Sequence, residues 1–379
     1  MRKLFYIPLL LVALNSSAQQ KDVYLFSGMD GLFELPDGSL TNFWGYGYNS
    51  QPMTFPAPLL EFEYGDTVNV HMRNLSPEAH TIHLHGLDVD QVNDGVPQTS
   101  FFVFQGDSAA YSFVADQPGT FLYHCHVTTT LHLTMGMYGM LTVKYPSDLL
   151  FQNGPHYEKE YHYLASDLEI RVNDTPLQSF PFHKIKPDHF MINGLADEQI
   201  EEDTTMLLEA SAGQSIALRL GSMAYSKVQF IFPTGANAEV FMSDGRPLPS
   251  SFLVDELVLY PGERFSVILT PDETMYGDIE VQYFNMLNKE YLGSNFIPVK
   301  DLGSPPDASE FVFPNPASEE VVINIGSEQE EISWYGIDGR LVARYRLAQG
   351  EHRIDLSGFA AGSYVVSSDN GSQQTLIIN

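Results

Sequence analysis

Cysteine, positive charge and long apolar runs are all scarce in this chain of 379 residues. Cysteine occurs once, at position 125, which excludes a disulfide within the chain and leaves a lone thiol to be explained by reactivity, metal binding or burial. Lysine and arginine number 19 against 48 aspartates and glutamates, a formal charge of −29, so a nucleic-acid backbone would be repelled rather than held. The apolar run Leu4 to Leu14 spans about eleven residues, well short of the ~20 that a membrane-spanning helix needs. No later segment could cross a bilayer as a helix. With Arg2-Lys3 before it and Ser16-Ser17-Ala18 after it, that run reads as a removable signal peptide over residues 1–18.

No stretch carries a long helical period. Hydrophobic residues make up 44% of the chain and aromatics 12%, enough for real cores, and they fall in short alternating runs. Thr67-Val68-Asn69-Val70-His71-Met72 and Ala110-Tyr111-Ser112-Phe113-Val114 are examples, bounded by Gly, Pro, Asp and Asn. The expectation is an all-β protein of Greek-key sandwiches. Residues 19–146 form a first sandwich and 156–298 a second. A linker at 299–308, containing Gly303-Ser304-Pro305-Pro306, leads to a small strand-rich sandwich at 309–379.

Seven of the twelve histidines lie between His71 and His132. Five of them fall in two clusters, His80-Thr81-Ile82-His83-Leu84-His85 and His124-Cys125-His126, with His132 shortly after. Residues two apart on a strand share a face, so His83 and His85 point one way, His124 and His126 point one way, and Cys125 points to the opposite side. Two separate sites follow. A thiolate with two imidazoles and a weak thioether is the donor set of a trigonal blue-copper electron-transfer site. Cys125, His132 and Met137 come from one strand and its following loop, and His80 is the ligand expected from an earlier strand. On the other face, His83, His85, His124 and His126 offer four imidazoles suited to copper that meets oxygen or another small oxidant. Zinc competes for such donors, although structural zinc sites favour more thiolates in close pairs. A buried thiol among structural histidines is the non-functional alternative. Met135 and Met140 are expected in core packing, His71 on a strand face and His352 at the surface.

These residues carry a family resemblance. His83-Leu84-His85-Gly86, Asp94-Gly95-Val96-Pro97-Gln98, Pro118-Gly119-Thr120-Phe121-Leu122-Tyr123-His124-Cys125-His126 and Gly136-Met137-Tyr138-Gly139 resemble the multicopper oxidases, a laccase-like group of cupredoxin-domain proteins. The resemblance implies type 1 copper at His80, Cys125, His132 and Met137, type 2 copper at His83, and a type 3 pair at His85, His124 and His126. Electrons would pass along His124-Cys125-His126 to the oxygen-reducing cluster. The second sandwich, through His189-Phe190-Met191-Ile192-Asn193-Gly194 and Val254-Asp255-Glu256-Leu257, is similar to the copper-free middle domain of laccases. The last block, through Phe313-Pro314-Asn315-Pro316-Ala317, Tyr335-Gly336-Ile337-Asp338-Gly339-Arg340-Leu341 and Ile354-Asp355-Leu356-Ser357-Gly358, resembles C-terminal sorting domains of the type IX secretion system. That implies export to the cell surface or the medium and secretion machinery as a partner.

Two departures from the family bear on function. A complete trinuclear centre there uses eight histidines from two cupredoxin domains, and here one set of four is found. His156, His162, His183 and His189 of the second block include no His-x-His pair. His132 also follows Cys125 by seven residues where five is usual, as a two-residue insertion in the loop would give. Copper nitrite reductases, which are trimers of two-cupredoxin chains, have a longer loop still. The expected function is a secreted copper oxidase with a phenolic or metal-ion donor and dioxygen as acceptor, the missing ligands coming from another subunit of a homotrimer. A nitrite-reductase-like enzyme and a non-enzymatic blue-copper carrier or copper-holding protein are the alternatives.

Overall fold

A computed structural model describes residues 18–48, 51–178 and 181–301, and beyond them 312–313, 317, 320–336, 340–368 and 373–378. Apart from Ala18 the expected leader lies outside the described residues, as do residues 302–308 of the expected linker. The chain forms two compact bodies, one holding residues up to 210 and 214–301, the other 211–213 and 302 onward.

The first body opens with eight strands: β1 (Gln20–Glu34), β2 (Leu40–Tyr48), β3 (Leu60–Glu63), β4 (Thr67–Asn74), β5 (His83–His85), β6 (Ser108–Val114), β7 (Gly119–His124) and β8 (Tyr138–Lys144). They make two four-stranded sheets, ordered β2-β1-β4-β6 and β3-β8-β7-β5. Pairs β1–β4 and β3–β8 run parallel, which chain neighbours joined by tight turns could not do. Val68, Val70, Met72 and Tyr111 from one sheet meet Phe62, Phe121, Tyr123 and Leu141 from the other in a shared core. The alternation visible in Thr67–Met72 is therefore the inner face of a sandwich.

Strand β7 positions the chemistry, and all six of its residues are buried. A strand reads as continuously buried only when both faces are covered. Phe121, Tyr123 and the following Cys125 point into the sandwich core. Leu122 points the other way, into a second apolar cluster where Tyr138 and Met140 pack against Leu164, Leu168, Met191 and Met223 of the second sandwich.

That second sandwich has a six-stranded sheet containing Lys159–Leu168, Ile216–Ser222 and Arg264–Leu269, and a four-stranded sheet containing Lys227–Ile231 and Ile279–Phe284. Its core includes Leu218, Leu220, Phe230, Val267 and Val281. A charged network also ties the two sandwiches together. Lys144 Nζ lies 2.6 Å from Glu61 and 2.9 Å from Glu160, and the fully buried Arg219 donates to Glu160 at 2.8 Å.

The segment after Cys125, expected as loop, contains a short helix, Thr129–Thr134. Six residues rich in β-branched threonine are too few for a period to show and carry low helix propensity. The helix is held by what it buries: His132 is fully enclosed, and Thr134 Oγ1 donates back to Thr130 O at 2.8 Å. Thr128, in left-handed conformation (φ 43°), turns the chain into it.

In the second body, strands Val312–Phe313, Glu320–Gly336, Leu341–Asp355, Gly362–Ser368 and Gln373–Ile378 share one sheet. Buried Trp334 packs there on Phe359, ring centroids 4.7 Å apart. Residues 314–316 and 337–339, from two of the three quoted motifs, lie outside the described residues.

Candidate metal centre

His80, Cys125 and His132 are brought together with no exposed surface at all. Backbone pairing with Val103, at 3.1 and 3.0 Å, pins His80. Cys125 N donates to Met137 O and Met137 N to His132 O, both at 3.0 Å, so the segment from 125 to 137 closes on itself. Cys125 Sγ lies 3.6 Å from His80 Nδ1 and 3.1 Å from His132 Nδ1. The three donor atoms fall within 4.8 Å of one another. Donors that each sit ~2.0–2.3 Å from one ion stand roughly 3–4 Å apart, so the spacing fits a single metal. Met137 is buried in the same core as Cys125.

The donors are also in chemically suitable states. Burial pushes His80 down to about 3, which keeps its imidazole neutral and able to ligate. Burial pushes the Cys125 thiol up to about 11, so the thiolate needs a cation beside it. One soft sulfur, two neutral imidazoles and a buried thioether are the donors that copper prefers. Outside them, the Glu78 carboxylate lies 3.4 Å from His132 Nε2, in ion-pair range though not in hydrogen-bond geometry.

On the opposite side of β7, antiparallel register sets His83 directly across from His124. His85 Nδ1 is 3.1 Å from His124 Nε2, and the donors of His83, His85 and His124 lie within 4.8 Å of one another. The strand ends at His124, so His126 stands just beyond the ladder and not on it. Its ring still faces that of His83, centroids 5.3 Å apart. His83 is oriented through Nδ1, which lies 2.7 Å from Asp94 O and 3.3 Å from the Asp94 carboxylate, as ligating histidines commonly are. His124 Nδ1 faces Cys125 O at 3.0 Å. Gly95 (φ +74°) permits the Asp94 turn, because a Cβ there would collide with the carbonyl of Ile82. Burial lowers His85 to about 4 and His124 to about 3.

This histidine face opens on a cavity of about 690 Å³ whose far wall comes from the second sandwich, including Asp167, His183, Lys184, Lys186, Met223 and Tyr225. Of the second sandwich's four histidines only His183 lines it among the described residues. His162 lies instead 3.9 Å from Glu61, and His189 lies 3.0 Å from Asp188. No second set of four imidazoles faces His83 and His126 within the described chain. Glu61, Glu160 and His162 also cluster within 4.8 Å, but Lys144 and Arg219 already neutralise the carboxylates there.

Elsewhere His71 stacks on Tyr24, centroids 4.5 Å apart, and lies 2.8 Å from Asp22. Met135 and Met140 are buried in apolar clusters. His352 lies 2.6 Å from Ala348 O and carries no donor neighbour among the described metal-capable groups. Glu78, Asp167 and Lys184 went unmarked in the sequence. Glu78 stands two residues before His80, a short-range signal that could have been used; the other two had none.

A family model for multicopper oxidase matches residues 36–148 and a second, also multicopper oxidase, matches 153–290. A model for a secretion system C-terminal sorting domain matches 311–379. Laccase-2 of Fomitopsis schrenkii is 27% identical over 241 residues, 58% of this chain and 42% of the relative. An L-ascorbate oxidase of Nicotiana tabacum is 26% identical over 302 residues, covering 71% of this chain and 50% of its own. The chain thus spans half or less of the length of these relatives. A solved multicopper oxidase, mgLAC, superposes with a TM-score of 0.61 at 26% identity, over 75% of this chain and 87% of that one.

Proposed function

The chain belongs to the multicopper oxidase family, and from that premise we propose that it is an exported copper-dependent oxidoreductase. His80, Cys125, His132 and Met137 would hold type 1 copper, and His83, His85, His124 and His126 would hold further copper of types 2 and 3. Copper bound at these sets supplies one-electron redox chemistry. The residues of the chain do the rest. Cys125 is joined by single peptide bonds to His124 and His126, so the two donor sets share one stretch of backbone. The core around Cys125 excludes water from the sulfur side, while the cavity admits an acceptor to the histidine side. The donor is a phenol-like organic or a low-valent metal ion, and the acceptor is dioxygen. Nitrite is the variant acceptor.

The observation that carries this reading is the placement of Cys125 Sγ against His80 and His132 while its neighbours His124 and His126 face His83 across the strand. Copper counted per chain, together with the blue absorption band and oxygen uptake on adding a reductant, tests it. More than one copper per chain with oxygen uptake is expected; a colourless copper-loaded protein would sink the type 1 assignment. That His183 is the only histidine of the second sandwich lining the cavity among the described residues favours two further ideas. Either a homotrimer supplies the missing ligands, or the protein is a copper carrier or store, which one copper per chain and no oxygen uptake would reveal. The sorting domain supports export by the type IX machinery to the surface or the medium, with the leader and that domain as the two signals. No helix among the described residues is long and apolar enough to cross a membrane.

A further inference from the structure

Dioxygen and nitrite need little more room than the ~30 Å³ of a water molecule. The cavity over the four histidines measures about 690 Å³. That falls inside the ~300–1,000 Å³ typical of sites for small organic ligands. Its walls are apolar: Leu133 on the short helix of the first sandwich, and Ile185, Met223 and Leu287 on the second. The imidazoles that line it are buried or half-buried, and Lys184 and Lys186, which also line it, are exposed.

Basic side chains are scarce in the whole and yet present in this lining. The chain carries −29 with only 19 basic residues, yet two of those lysines meet at one cavity. Lys186 Nζ lies 3.5 Å from Glu290, whereas Lys184 has no carboxylate within ion-pair distance among the described residues. The cavity's acidic residue, Asp167, is 5% exposed and makes no ion pair with either lysine among the described residues. Its two carboxylate oxygens accept the N–H groups of Tyr225 and Ser226, at 2.8 and 3.0 Å.

We propose that this cavity binds a small carboxylate with a ring-sized apolar body, its charge toward Lys184 and its body against Leu133, Ile185 and Met223, next to the histidine face. The proposal deepens the copper reading of that face and rests on it for its chemistry, although binding itself does not require the metal. An apolar body leaves water for the walls, and the lysine selects its anionic end; neither feature serves dioxygen.

Calorimetric titration of the full-length protein with benzoate tests this, copper per chain being counted on the same sample. One benzoate per chain is expected, with benzamide and benzylamine binding at least tenfold more weakly. Lys184→Gln should weaken benzoate several-fold and leave benzamide unchanged. Met223→Trp, which fills the cavity, should abolish binding while the blue band, a separate reporter of folding of the first sandwich, persists. In the copper-loaded protein benzoate should also shift the electron paramagnetic resonance signal of histidine-bound copper. No saturable binding, equal binding of benzoate and benzylamine, or binding indifferent to both substitutions would overturn the proposal. Normal benzoate binding in a protein whose histidine face takes up no copper would instead overturn the copper reading and leave the cavity site standing.

Discussion

The end of strand β7 and the residues just after it carry two donor sets made from adjacent residues, yet one is sealed and the other is open. Around Cys125 every donor is fully buried and supplied by a single sandwich. Around His124 the donors border a cavity completed by a second sandwich that contributes His183 in place of a full histidine set. A centre that only passes electrons gains from a dry, rigid shell, because little need rearrange when its charge changes. A centre that binds a reactant needs a way in. In the proposed copper reading, the adjacency of His124 at the strand's end and Cys125 just after it would let consecutive residues serve both needs without any intervening structure.

Breaking the sealed side should have the largest effect. Cys125→Ser removes the soft donor that stands beside His80 and His132, so the blue band and all turnover should vanish together; activity surviving without colour would mean that electrons enter elsewhere. On the open side, the double substitution His83→Ala and His126→Ala should lower copper per chain and stop oxygen uptake while the blue band stays. If the colour went as well, the two sets would not be separable. Between the two sides, Leu122→Ala empties part of the cluster that joins the sandwiches. A cost of ~2–5 kcal/mol is expected, read as a lower urea midpoint.

The smallest effect is a pH slope. Burial raises Asp167 to about 6 from 3.8, so the folded chain holds its proton more tightly than the unfolded one. Its contribution to stability is full below about pH 4 and is lost as the pH rises through about 6. Urea midpoints of the parent should therefore fall relative to those of Asp167→Asn between pH 4 and 7; parallel curves would show that this carboxyl is not proton-linked to folding.

Much of this was legible in the sequence because it depends on local pattern. The alternation at Thr67–Met72 fixes which side chains share a face wherever the strand is placed, and the His-Cys-His tripeptide marks two donor sets joined through adjacent residues. The helix at Thr129–Thr134 was not legible, since its stability lies in the burial of His132 and not in its threonines. His126 was assigned to a strand face and faces the cavity from just beyond the strand's end, where the ladder has already stopped. Glu78 could have been suspected from its nearness to His80. Asp167 and Lys184 could not, because they belong to the cavity only through the docking of one sandwich on the other.

The sequence by itself determined the all-β architecture, the split of donors to opposite sides of one strand and the shortage of histidines in the second half. Only the tertiary structure decided that Cys125 Sγ meets both His80 and His132, that Asp94 orients His83, and that the second sandwich leaves a ligand-sized space over the histidines. Side-chain alternation is set by neighbours along the chain, whereas the distance between strands and the shape of a cavity are set by what packs from far away in sequence.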